Sequence, residues 1–88
     1  MIAIKVKIMP SSPKSNLIKI KNEAEKKIKK LGASVHSSSQ EDIAFGLKAL
    51  ILLIAWPEDR SPEELEAQLS SLSDIKSAKI IDVRRAVG

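Results

Sequence analysis

From Ala49 to Trp56 the chain runs through eight apolar residues without a break, ALILLIAW. A run of that length is too short to cross a membrane as a helix, which needs about 20 residues. It suits a strand buried on both faces, or nearly so. The lead-in to this run has a different character. Phe45-Gly46 stands where a polar segment, His36 to Asp42, gives way to the apolar one. Gly lets the backbone bend and leaves its neighbour unshielded, so a Phe beside it at a strand entrance can stand out from the sheet. Taken as one long strand, Ile43 to Trp56 has one end in a core and the other on display.

The remaining segments supply what such a strand needs. Ile2, Ile4, Val6 and Ile8 alternate with Ala3, Lys5, Lys7 and Met9, the period of a half-buried strand. Pro10 ends it, and Ser11-Ser12-Pro13 has turn chemistry. A helix is predicted over roughly Lys14 to Leu31, where Leu17, Ile20, Ala24, Ile28 and Leu31 form one apolar stripe. Ser12 or Ser15 is placed to cap it, Pro13 suits its first turn, and Gly32 suits the position just past its end. Lysines crowd its last turns, where the helix dipole favours cations.

Ala33 to Gln40 has Val35 as its only strong β-former and reads as a short polar edge strand, with Glu41-Asp42 as the turn. Pro57 stops the long strand. Ser61-Pro62-Glu63-Glu64 then offers a capping box, and Leu65, Leu69 and Leu72 give a narrow helical stripe. Ser73-Asp74 breaks this helix, and Ile75 to Arg85 holds a last strand.

The resulting order, β-α-β-β-α-β, is the ferredoxin-like split β-α-β sandwich of the α+β class. Right-handed crossovers place both helices on one face of a four-stranded antiparallel sheet, in spatial order 4-1-3-2. With 88 residues the chain is expected to be one domain, 1–88, with a single core. The central strand is apolar on both faces: Leu47, Ala49, Ile51 and Leu53 on one, Leu50, Leu52, Ile54 and Trp56 on the other. Helices cover only one of them. The open face is therefore a candidate contact surface, and a homodimer through it is one expectation.

Composition narrows the function. There is no cysteine, which excludes disulfides and thiolate chemistry. The N-terminus alternates Ile with Lys, unlike a signal peptide, so a soluble cytoplasmic protein without a membrane partner is expected. The single histidine, His36, lies among serines with no oriented base, and no Gly-rich phosphate loop is present. Neither covalent catalysis nor a cofactor or metal is expected. The net charge of +4 is segregated: seven Lys between Lys14 and Lys30, then five acids between Glu58 and Glu66. Such asymmetry suits a polar partner or nucleic acid, though a solvated Lys/Glu helix surface is the plainer reading. RNA-recognition modules of this topology stack bases on aromatics of the two central strands. Here the first strand has none and the third has only Phe45 and Trp56, at its two ends. Direct nucleic-acid binding is therefore not the first expectation. An RNA-binding or dimeric scaffold module of the same fold stays as the alternative.

Several segments together resemble a known family. Met9-Pro10 followed by Ser12-Pro13, then Ile43-Ala44-Phe45-Gly46-Leu47 with Ala49-Leu50, and the closing Asp82-Val83-Arg84-Arg85 are similar to archaeal translation elongation factor one beta. These are guanine-nucleotide exchange factors of the elongation factor one alpha GTPase. The C-terminal catalytic domains of the eukaryotic counterparts look similar too. The resemblance spans the chain and implies a translation factor that exchanges GDP for GTP by binding the GTPase and disturbing its Mg²⁺ and phosphate site. Phe45 and Gly46 match the Phe-Gly pair that presses into the GTPase. Arg85, or alternatively Arg84, matches a basic residue that reaches toward the Mg²⁺ site. There this chain has Arg where the eukaryotic domain has Lys, and Ala86-Val87-Gly88 trail behind.

Overall fold

The computed structural model describes residues 1–85; the tail 86–88, which completes the expected domain, lies outside the described residues. The elements are β1 (Ile2–Pro10), α1 (Leu17–Lys30), β2 (Ser34–Asp42), β3 (Lys48–Trp56), α2 (Pro62–Ser70) and β4 (Ile75–Arg85). All strand pairs are antiparallel and the sheet runs β2-β3-β1-β4, the expected 4-1-3-2 order. The two most apolar strands are central, as burial on both sides requires.

Register puts the alternating residues of the central strands back to back. Ile4 faces Ile54, Val6 faces Leu52 and Ile8 faces Leu50. Together with Trp56 they are at most 2% exposed, packed under Ile20, Ala24 and Ile28 of α1 and Leu65 and Leu69 of α2. Each such side chain withdrawn from water contributes about 1.5–3 kcal/mol. The opposite face of β3 is less bare than its sequence implies. Ala49 is fully buried, and Ile51 and Leu53 are half-buried. Lys7, opposite Ile51, reaches diagonally over β3 to Glu41, opposite Ala49, with Nζ and Oε1 3.7 Å apart. The lysine stem thus lies along apolar surface while its head stays wet.

Three element boundaries differ from the sequence expectation. First, α1 starts at Leu17 rather than Lys14, and its cap is Asn16, whose Oδ1 accepts the Lys19 N–H at 3.1 Å. Ser15 and Ser12 are engaged instead in the preceding loop: Ser15 Oγ accepts from Ser12 N–H and Ser12 Oγ from Lys14 N–H. Second, β2 continues through Glu41 and Asp42, which pair with Ala49 and Lys48 rather than forming the turn. Third, β3 begins at Lys48, so Ile43 to Leu47 is the hairpin loop and not part of the strand. The helix end behaves as its residues dictate. Gly32 takes φ +80°, and the amides of Gly32 and Ala33 bond to the carbonyls of Lys29 and Ile28, a Schellman motif.

Ser61 caps α2 with Pro62 at its first position, and Ser61 Oγ accepts the Glu63 N–H at 3.2 Å. The reciprocal half of the expected capping box is replaced. Glu64 turns to Arg60, which donates to it through Nε at 3.2 Å and through Nη2. Arg60 also donates to the Leu31 carbonyl at the end of α1 and lies 5.8 Å from the centroid of the Trp56 ring. Trp56 Nε1 donates to the Arg60 carbonyl at 3.0 Å. One arginine thereby joins β3, α1 and α2 at one end of the sheet.

Candidate functional site

The loop between β2 and β3 is closed by two backbone bonds, Ile43 N–H to Leu47 O at 2.9 Å and Leu47 N–H to Ala44 O at 3.0 Å. Within it Phe45 has φ +55° and Gly46 has φ +77°. Positive φ at both central residues is the signature of a type I′ turn, which Asn-Gly or Asp-Gly ordinarily fills. Gly46 is demanded by this backbone and not by space, since a Cβ there would meet Pro13 Cβ at an ordinary 3.8 Å. For Phe45 the same conformation costs about 1–2 kcal/mol. Packing returns nothing for it: the side chain is 97% exposed. The turn therefore holds a large aromatic ring in solvent, in a conformation that L-residues avoid.

The same end of the sheet holds a second tight turn. The Ser11 N–H bonds to the Asp74 carbonyl at 3.0 Å, and Asp74, at φ +64°, is the second non-glycine residue with positive φ among those described. The segment after β1 is thus tied to the α2–β4 turn and packs beside the hairpin. Between them lies an open groove of about 390 Å³, walled by Pro13, Leu17, Ile18, Gln40, Gly46 and Lys48 among others. Ile18 is 69% exposed and Ile43 38% exposed, so both join Phe45 as unburied apolar groups at this end. The sequence motifs pass over Ile18. A signal for it was present, since Ile18 sits about 200° round α1 from Ile20, off the buried stripe.

The two arginines lie elsewhere. In register, Arg84 faces Ala3 and Arg85 faces Ile2, whereas the hairpin adjoins the Pro10 end of β1. The nine residues of β1 separate these ends by roughly 26 Å at about 3.3 Å per residue. The structure therefore brings Phe45 and Gly46 together, and Arg84 and Arg85 together, but keeps the two pairs apart. Arg84 Nε holds Asp82 Oδ2 at 2.8 Å, and strand alternation turns Arg85 toward the opposite face of the sheet. Met1 and Val83 are exposed apolar residues toward this second end, and Ile81 is an exposed one midway along the β1–β4 pair. Ile81 falls where the β1–β4 register slips between Lys5 and Val6, and Glu66 of α2 accepts the Ile80 N–H at 3.0 Å beside it.

Other candidates for chemistry stay dispersed. His36 occupies the register shift of β2 between Val35 and Ser37 and is exposed. Among the described residues no three of His, Cys, Asp and Glu gather as a metal site. Nor is any helix among the described residues long and apolar enough to cross a membrane. Trp56 is fully buried, which leaves Phe45 as the only exposed aromatic of the two in the chain.

Known proteins bear on this two-ended arrangement. The family model described as EF-1 guanine nucleotide exchange domain matches residues 3–86. The chain is 38% identical over 86 residues to elongation factor 1-beta of Methanosarcina barkeri, covering 96% of each protein. It is 36% identical over 86 residues to the Methanosarcina mazei protein of the same name, again covering 96% of each. With elongation factor 1-beta of Methanothermobacter thermautotrophicus it shares 33% identity over 81 residues, 91% of this chain and 90% of that one. The match runs through both ends of the sheet and all six elements, and the chain belongs to the EF-1 guanine nucleotide exchange domain family.

Proposed function

We propose that this protein promotes exchange of GDP for GTP on the elongation factor one alpha GTPase, in the cytoplasm and without covalent chemistry or a cofactor of its own. The observation that carries the reading is Phe45, held 97% exposed at φ +55°. A bulky residue in a disfavoured conformation, with no burial to offset it, is explained by a contact made outside the chain. Aromatic residues and arginines are the types enriched at interface hot spots.

The two ends then have separate tasks. Phe45 with Gly46 anchors one surface of the GTPase. Arg84-Arg85, roughly 26 Å away along β1, reaches the Mg²⁺ and phosphate site. Mg²⁺ neutralises phosphate charge and holds nucleotide in the pocket of such a GTPase. A cation or loop displacement that removes it loosens the nucleotide. Reciprocity requires that nucleotide weaken binding of the exchange factor by the same factor, so abundant GTP completes the cycle. The test is release of labelled GDP from the cognate GTPase in excess GTP, with the chain at catalytic concentration. A clear acceleration is expected; an unchanged release rate at saturating chain overturns the reading.

A further inference from the structure

The Phe45 ring is almost wholly in solvent, so it stands where its turn stands. The turn closes on itself through the Ile43 and Leu47 amides. Beyond its own chain neighbours, a Cβ placed on Gly46 would meet one atom of the described residues within 4 Å, Pro13 Cβ at 3.8 Å. Pro13 is itself held. Ser12 to Ser15 is a β-turn closed by the Ser15 N–H on the Ser12 carbonyl at 3.1 Å, with Pro13 at the position whose φ proline presets. Ser15 Oγ accepts the Ser12 N–H and Ser12 Oγ accepts the Lys14 N–H, both at 3.2 Å. The Ser11 N–H goes to the Asp74 carbonyl, and Pro13 has no N–H to satisfy. Every amide from Ser11 to Ser15 is thus bonded within the chain, although amides of a surface loop can bond water instead.

We propose that the Ser12–Ser15 turn positions the Phe45-Gly46 turn for the GTPase. Pro13 is the stop on which the hairpin rests, the Ser12 and Ser15 hydroxyls fix that stop, and all three act through the ring rather than by touching the partner. The inference rests on the exchange-factor reading and deepens it. A type I′ reversal with Phe at its first central position is disfavoured by its own backbone. Left to its two closing bonds, the tip would sample other conformations. Pro13 excludes those that swing it toward the segment after β1. A ring already in place loses less freedom on binding, which lowers the concentration needed to engage the partner. Once the complex has formed its contacts are the same, so the maximal rate is untouched.

The experiment compares wild type with Pro13→Gly, with the double variant Ser12→Ala/Ser15→Ala, and with Ser12→Thr/Ser15→Thr, which keeps both hydroxyl oxygens. Hydrogen exchange read by NMR follows the Ile43 and Leu47 amides against amides of the β1–β3 pair. Stimulated GDP release gives the half-saturating concentration and the maximal rate. In the glycine and alanine variants the two hairpin amides are expected to speed up by a larger factor than the β1–β3 amides, the mark of local rather than global opening. The half-saturating concentration rises about threefold at an unchanged maximal rate, and the threonine variant behaves as wild type. In a Phe45→Ala background Pro13→Gly adds no further loss, because the pair acts as one unit. An additive loss overturns the proposal. So do hairpin amides that keep their wild-type exchange, or a half-saturating concentration that stays put while they speed up. If wild type itself never accelerates GDP release, the exchange reading falls, and the amide rates alone decide whether the Ser12–Ser15 turn holds the hairpin.

Discussion

At the hairpin end of the sheet an aromatic ring is exposed on a strained turn; at the opposite end the other aromatic, Trp56, is fully buried and bonded to Arg60. They flank the same apolar run: Trp56 is its last residue, and Phe45 stands in the hairpin four residues ahead of its first. Their fates differ because their neighbours in space differ. Beyond Trp56 the chain turns into α2, and Arg60 closes over the indole while reaching Glu64 and the Leu31 carbonyl. Ahead of β3 the chain makes a reversal whose positive φ values point Phe45 away from everything. One end is cross-linked and the other displayed. The displayed ring depends on its turn alone. Apolarity marks core only when some other element arrives to cover it.

The sharpest way to break this comparison is Phe45→Ala. Truncating a buried Phe costs about 3–5 kcal/mol, but this ring is almost wholly in solvent. We expect chemical denaturation to match wild type, while stimulated GDP release slows about tenfold or more, the loss typical of a hot spot. A stability loss in proportion to the activity loss would return Phe45 to the core.

Next in size is Arg60→Ala, at the cross-linked end. It leaves the Leu31 carbonyl without its donor and Glu64 without its partner. The expected loss is about 1–2 kcal/mol of stability, read as a lower midpoint in urea. Arg84→Ala, which breaks only an exposed pair with Asp82, serves as the control and should barely shift that midpoint. Equal midpoints for the two variants would mean that Arg60 does not join the helices.

Ser61→Ala removes the cap of α2, worth about 1 kcal/mol. A lower melting temperature with unchanged exchange is expected, since Ser61 touches neither end's exposed group. Altered exchange at full stability would show that α2 takes part in binding.

The smallest effect falls on the terminal arginines. With a basic group acting at the Mg²⁺ site, Arg85→Ala should slow stimulated release about threefold where Mg²⁺ is plentiful and approach wild type where it is scarce. An arginine spreads its charge over a planar fork and substitutes poorly for a compact ion, hence the modest figure. GDP release against Mg²⁺ concentration for wild type, Arg84→Ala and Arg85→Ala is the measurement. Parallel curves for all three would remove the metal-site role and leave exchange resting on the hairpin end.

What the sequence determined by itself is local and periodic. Alternation in Ile2 to Ile8 and the three-four spacing from Leu17 to Leu31 settle which face of each element is apolar, and the apolar faces can be buried together in few topologies. Gly32 ends α1 because left-handed backbone is cheap only for glycine, and Gly46 lets the neighbouring Phe45 stand out of the sheet. The tertiary structure decided everything that depends on a distant partner. Glu41 and Asp42 have weak strand propensity and read as a turn, yet they are strand because β3 offers them an edge of unpaired amides and carbonyls. The carboxylate of Glu64 leaves its local cap for Arg60, and Arg60 finds a carbonyl 29 residues away. No spacing along the chain announces that bond. The separation of Phe45 from Arg84-Arg85 is likewise a matter of strand direction: the chain enters β3 at one end of the sheet and leaves β4 at the other. Register and burial are collective, and only the folded chain assigns them.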